Sequence, residues 1–130
     1  GMADEYESHR AARSPLLRDS LTGARQLGDR DYEAALATAH AGRRDLPQLF
    51  EGIDVLLSPS APGEPPEGYA STGASTWNRA WTLLHVPCLN VPGATGVNGL
   101  PMGVQVIAPS GEEALCLRAG HVLEQALGKG

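Results

Sequence analysis

The sequence predicts an α/β fold: a small mixed sheet of about three strands flanked by helices. Three observations carry this expectation. Apolar residues recur near helical spacing over 29–52 and again over 111–127. Three short apolar runs, Ile53–Leu57, Cys88–Val91 and Met102–Ile107, stop at proline or glycine turns, as strands do. A hydrophobic content of 42% in 130 residues suits one folded domain better than a disordered chain. On this reading residues 1–14 are a polar N-terminal tail and 15–130 a single domain.

Each element has its own justification. After the tail, the apolar patch Pro15-Leu16-Leu17 opens a short helix, with a turn signal at Leu21-Thr22-Gly23. Over 29–52, Asp29 or Asp31 supplies an N-cap, and Tyr32, Leu36, Ala39, Leu46, Leu49 and Phe50 form the inner face. Pro47 removes a helical bond and clashes with the preceding turn, so a kink or restart near Asp45 is expected. Gly52 ends the helix. A strand over 53–58 leads into a loop rich in proline and glycine. Trp77, Trp81 and Leu84 share one face of a helix at 76–84. Strands at 88–92 and 102–107 flank a turn with Asn98-Gly99 at its tip. Leu115, Ala119, Val122, Leu123 and Ala126 form the inner face of a last helix, with Glu112 and Glu113 at its positive end. The strand 53–58 is expected parallel beside 88–92, joined through the 76–84 helix, with 102–107 returning antiparallel.

The charge balance excludes some partners. A net charge of −5, with scattered arginines and Lys129 as the only lysine, argues against nucleic acid and anionic membrane surfaces. No apolar run reaches spanning length, and no secretory signal opens the chain. Gly1 before Met2 reads as the remnant of a tag, and Met2 as a native start or an artificial boundary. The polar start Ala3–Ser8 resembles a free N-terminus. Cys88 and Cys116 allow one disulfide, but two cysteines in a chain of this size read as free thiols in a reducing cytoplasm.

From Gly68 to Ser110 the only formally charged side chain is Arg79. So long an uncharged run is rarely a solvated surface. Met102, Val104 and Val106 face one way and Gly103, Gln105 and Ile107 the other, so both faces of that strand want cover. Three strands and a few helices hardly provide it. The sequence therefore anticipates further protein: self-association through uncovered sheet faces, or the rest of a larger enzyme.

Three segments carry a family resemblance. Asp54-Val-Leu-Leu-Ser58-Pro59-Ser60-Ala61-Pro62-Gly63 resembles a strand and loop of amidase-signature enzymes. Asn78–Gly93 looks like the family's next helix and strand. Asn98-Gly99-Leu100-Pro101-Met102-Gly103-Val104-Gln105-Val106-Ile107 is similar to its most recognisable C-terminal segment. Here Gly99 closes the turn, Pro101 fixes the start of the strand, and Gly103 allows close backbone approach. The resemblance runs from about Leu16 to the end. It corresponds to the last part of the family's longer chain, and so implies the C-terminal part of the amidase-signature fold.

The resemblance implies amide hydrolysis by a serine nucleophile, with a second serine and a lysine relaying its proton. Those segments lie upstream of the part present here. A lysine base must sit within reach with its amine kept neutral, and Lys129 stands one residue from the end. No Ser-Gly-Gly-Ser stretch and no Gly-x-Ser-x-Gly elbow occurs. No catalytic residue maps onto this sequence, and the chain is expected to be inactive alone. The histidines His9, His40, His85 and His121 are not at metal-ligand spacing, so neither a metal nor a cofactor is expected. His85 reads as the end of a helix, and Cys88 as a small core residue.

Ser71, Thr72, Asn78 and Trp81 are the candidate substrate-binding residues. The first three flank a glycine-rich uncharged loop, a region that helps wall the substrate pocket in the family. They read equally as turn and helix-cap residues, with Ser75 or Thr76 capping the next helix. Trp77 and Trp81 suit stacking on a ligand, though tryptophan at helical spacing is more often core. Three functions follow: an amidase C-terminal segment, a non-catalytic oligomerising or small-ligand-binding module, or one half of a split amidase completed by a catalytic amidase chain.

Overall fold

The computed structural model of the chain describes residues 7–8 and 12–128. His9, Lys129 and most of the tail lie outside the described residues. Two compact units form, Gly1–Thr38 and Ala39–Gly130.

The first unit holds helix α1 (Pro15–Arg25) and the start of α2 (Asp29–Leu49). Pro15 sits in the first turn, where its missing N–H is no loss, and the Ser14 hydroxyl accepts from the Leu17 N–H at 3.3 Å. The expected turn at Leu21–Gly23 is absent, and α1 continues through it to Arg25. Ser20 and Thr22 spend their hydroxyls on the carbonyls of Leu16 and Arg18, so neither competes for the turn.

In the second unit α2 stays helical through Pro47, and the restart near Asp45 does not occur. Pro47 lies in the last turn, so it deprives only the Arg43 carbonyl of a helical donor. Phe50 and Glu51 then bond to the carbonyls of Pro47 and Gln48 at 3.1 and 3.3 Å, and Gly52 at φ 75° turns the chain away. The inner face of α2 is narrower than expected: Ala39 and Leu46 are buried, as is Phe50 just past its end, while Tyr32, Leu36 and Leu49 are exposed.

The sheet contains β1 (Leu56–Pro59), β2 (Cys88–Thr95) and β3 (Pro101–Ile107), in the order β1-β3-β2. Helix α3 (Arg79–Leu84) lies between β1 and β2 in sequence, and α4 (Glu113–Leu127) closes the chain. The α/β class with three strands and flanking helices is as the sequence predicts, but the neighbour relation is not. β1 and β2 run in the same direction without touching, because β3 inserts between them antiparallel to both. Val106 pairs with Leu57 on one side and Leu89 on the other, and Gln105 pairs with Ser58 and Asn90. β2 also outruns its expected end, passing a bulge between Pro92 and Ala94 to reach Thr95.

Helices cover both faces of β3. On one face Val91, Val106, Ala108 and Cys116 form a buried cluster, with Leu89, Ala119, Leu123 and Leu127 against it. On the other, Ile107 is buried with Leu46 and Phe50, and Trp81, Leu84 and Val86 pack around them. The inner face of α4 is therefore Cys116, Ala119, Gly120, Leu123 and Leu127. That is a correction: Val122 and Ala126, expected inside, are exposed. Gly120 sets the helix's rotation, because a Cβ there would overlap the Leu89 side chain.

Candidate functional site

The end of β1 and the middle of β2 build a polar cluster across β3. Ser60, just past β1, donates its N–H to the Gly103 carbonyl at 3.0 Å. Its hydroxyl donates to the Asn90 side-chain oxygen. Asn90 stands on β2, so the two side chains meet over the central strand. They do so because Gly103 has no side chain: a Cβ there would fall on the Asn90 carboxamide. Gly103 thus admits a neighbouring side chain across its face. Asn78 donates its side-chain N–H to the Ser60 carbonyl at 3.1 Å, which ties the start of α3 to the same point.

This cluster forms the floor of an open cleft of about 670 Å³. Its walls are the loop Ala61–Pro66, the segment Ser71–Ala74, and Pro101–Gly103. Ser71 and Thr72 line it, and the Ser71 hydroxyl accepts from the Gly73 N–H at 3.0 Å. Asn78 braces the floor from behind. Trp81 lies elsewhere, against the buried cluster of Leu46, Phe50 and Ile107.

Among the described residues, Glu64 is the only ionisable one lining the cleft, and its carboxylate is engaged elsewhere. It accepts from the Asn98 N–H at 3.0 and 3.1 Å, from the Asn98 side-chain amide at 2.8 Å, and from the Leu100 N–H at 3.0 Å. Desolvation pushes the Glu64 carboxyl up, but the donors of Leu100 and Asn98 outweigh it and hold it below the usual carboxylate range. Glu64 keeps its negative charge but spends its oxygens on the hairpin, so the groups the cleft leaves to a ligand are hydroxyls and a carboxamide.

Beneath the floor, the Gln105 side-chain N–H reaches the Ser58 hydroxyl and the Trp77 carbonyl, each at 3.3 Å. Gln105 is buried, and it joins two strands to the segment before α3. His85 is the C-cap of α3 at φ 59°. Arg43 donates to the Leu83 carbonyl at 2.9 and 2.7 Å, and its Nη2 lies 3.0 Å from His85 Nε2, which makes that nitrogen the acceptor. Cys88 is exposed and Cys116 buried, both as thiols. Burial pushes both thiols up; the proximity of Cys116 further disfavours ionisation of Cys88, and Glu113 does the same for Cys116 against a smaller lowering by the Leu89 backbone. Among the described residues no group of three or more His, Cys, Asp and Glu is placed to hold a metal. No helix among them is long and apolar enough to cross a membrane.

Sequence reasoning picks out Ser71, Thr72 and Asn78 but not Ser60, Asn90 or Glu64. Alternation was the available signal: counting along β1 and β2, Ser58, Ser60 and Asn90 all fall on the face of Gly103 and Gln105.

The chain thus forms a three-stranded antiparallel sheet, with helices on both faces of its central strand and an open cleft at the end of its first strand. The amidase family model matches residues 6–117. The chain belongs to the amidase family. It is 31% identical to a glutamyl-tRNA(Gln) amidotransferase subunit of Gluconobacter oxydans, over 93% of this chain and 27% of that protein. It is 28% identical to the putative amidase AmiD of Mycobacterium tuberculosis, over 97% of this chain and 29% of that one. Among solved structures, an amidase crystal structure superposes with a TM-score of 0.87 at 32% identity, covering 98% of this chain and 32% of the amidase. An inhibitor-bound vestigial protein complex that reveals the evolutionary origins of an s-triazine catabolic enzyme gives 0.82 at 26% identity, covering 96% of this chain and 30% of that one. The chain thus spans about 30% of the length of its relatives.

Proposed function

We propose that this chain supplies one wall of the substrate cleft of an amide hydrolase and does not hydrolyse amides alone. The observation that carries this reading is the cleft over Ser60 and Asn90 in an amidase-family chain, lined among the described residues by hydroxyls and a carboxamide and by no lysine. Ser60 and Ser71 both lie in the cleft region, but among the described residues no lysine, histidine or free carboxylate lines it to take their protons. The wall binds rather than reacts: Asn90, Ser71 and Thr72 offer hydrogen bonds to a small carboxamide, held in place by Asn78 and Gly103. The nucleophile and its relay come from amidase residues beyond these 130, on the same or a separate polypeptide. The reading keeps the chain in the reducing cytoplasm, where Cys88 and Cys116 remain thiols.

The test is a panel of small aryl amides incubated with the purified chain, with light scattering on the same sample. No turnover above the buffer blank is expected. Turnover by the chain alone would overturn the reading. A second reading, a non-catalytic module that assembles with itself, is favoured by the exposure of Leu57 and Val122, at 57% and 67%. A stable dimer that neither hydrolyses amides nor gains activity with a catalytic amidase segment would support it.

A further inference from the structure

The tip of the β2–β3 hairpin carries chemistry that the cleft does not use. Asn98 is followed by Gly99, whereas the other two asparagines, Asn78 and Asn90, are followed by Arg79 and Val91. An asparagine carboxamide is an electrophile for the backbone nitrogen of the next residue, and a side chain on that residue hinders the approach. Gly99 offers no such hindrance: its φ is 82°, and no atom lies within 4 Å of the position a Cβ would take. Asn98 and Gly99 are both exposed, so water and hydroxide reach them. Two restraints oppose the attack. The Gly99 N–H, which must first lose its proton, donates to the Gly96 carbonyl at 3.1 Å. The Asn98 side-chain nitrogen, which must leave, donates to Glu64 at 2.8 Å, and the same carboxylate accepts from the Asn98 backbone N–H at 3.0 Å.

We infer that Asn98-Gly99 is a deamidation site, that Glu64 holds the reaction in check, and that the reaction, once it occurs, unfastens the cleft loop. The Gly99 nitrogen gives its proton to water and bonds to Asn98 Cγ. The Cγ–Nδ2 bond breaks, and the nitrogen takes up a proton and departs as ammonia. Water then opens the cyclic imide at either carbonyl, which leaves an aspartyl or an isoaspartyl residue. Each product replaces the donor facing Glu64 with a carboxylate, and Glu64 itself stays ionised. Two like charges at hydrogen-bond distance, with no proton between them, repel. The isoaspartyl product also adds a methylene to the backbone between Gly96 and Leu100, whose N–H and carbonyl bond at 2.9 Å across the turn. The loss of ammonia makes the change one-way. The inference concerns the hairpin and the loop whatever the cleft binds, and so does not rest on the proposed function.

The test is incubation of the purified chain in mildly alkaline heavy-oxygen water, followed by peptide mapping in a mass spectrometer. Conversion is expected at Asn98 and not at Asn78 or Asn90. Glu64→Ala should speed it by about tenfold or more, the effect of losing hydrogen bonds to a charged group, with Glu64→Gln in between. Slow hydrogen exchange at Val106 and Ile107 checks that the variants stay folded, and if Glu64→Ala loses it, Glu64→Gln decides alone. The deamidated fraction, separated by its added negative charge, should exchange faster than its parent at the Glu64 and Leu100 amides. An Asn98 that stays intact in the wild-type chain overturns the proposal. So does conversion no faster in the folded Glu64 variants, or equal conversion at Asn78 or Asn90. A deamidated fraction whose Glu64 and Leu100 amides exchange as in the parent overturns it too, since the loop would then still be fastened.

Discussion

Glu64 holds the Asn98 backbone and side-chain N–H groups at once, at 3.0 and 2.8 Å, and so fastens the cleft loop to the tip of the β2–β3 hairpin. Gly96 makes the contact possible, since a Cβ there would overlap the Glu64 side chain. Replacing Glu64 with Gln removes the charge and one acceptor oxygen. The Asn98 and Leu100 amides should then exchange faster, with the buried strands unaffected. Exchange unchanged at both amides would show that the clasp does not hold the loop.

The same carboxylate sets a pH dependence. Its folded pKa lies below the ordinary carboxylate value. The stabilisation is therefore complete above the unfolded pKa and is lost as pH falls through the folded one. The melting temperature should exceed that of Glu64→Gln near neutral pH, and the gap should close in acid below the usual carboxylate range. A gap that persists there would point to another group.

Gly103→Ala drives a methyl into the Asn90 carboxamide. Overpacking of this kind costs about 1–3 kcal/mol. The expected signature is local as well as energetic: Asn90 side-chain amide resonances shift and the Ser60–Asn90 bond opens. A variant with wild-type stability and unshifted Asn90 signals would contradict the bridge over β3.

Gly120→Ala tests the seat of α4. Alanine favours the helix by about 1 kcal/mol, but its methyl meets Leu89 in a packed cluster. Overpacking of about 1–3 kcal/mol should outweigh the gain, so chemical denaturation should show net destabilisation. Stabilisation instead would mean that Leu89 moves aside freely.

Ile107 is fully buried against Leu46 and Phe50. Ile107→Ala should destabilise by about 2–5 kcal/mol, the usual range for an aliphatic core truncation. A loss well under 1 kcal/mol in denaturant unfolding would show that the second face of β3 is not core.

Local sequence determined much of this protein. Turn chemistry at Asn98-Gly99 placed the hairpin, and apolar runs placed three strands and the last helix. The composition of Met102–Ile107, apolar on both faces, announced a strand covered on both sides. It also held an unused clue to strand order. Pro59 in β1 and Pro92 in β2 cannot donate to a ladder, which marks edge strands, whereas the only proline of β3 is its first residue. The crossover rule pointed instead to adjacent parallel strands, and it carries no information about a later strand inserting between them.

What only the tertiary structure decided are relations between distant residues. The rotation of α4 came from one close approach, Gly120 on Leu89, whereas periodicity alone favoured a stripe about one residue off. Ser60 and Asn90 are 30 positions apart and Glu64 and Asn98 are 34, and no local pattern links them. They meet because β3 carries a glycine between its two neighbours, and because the sheet brings loop and hairpin to the same end. Local sequence fixes which backbone bonds and faces are available, and packing across β3 selects which side chains share a site.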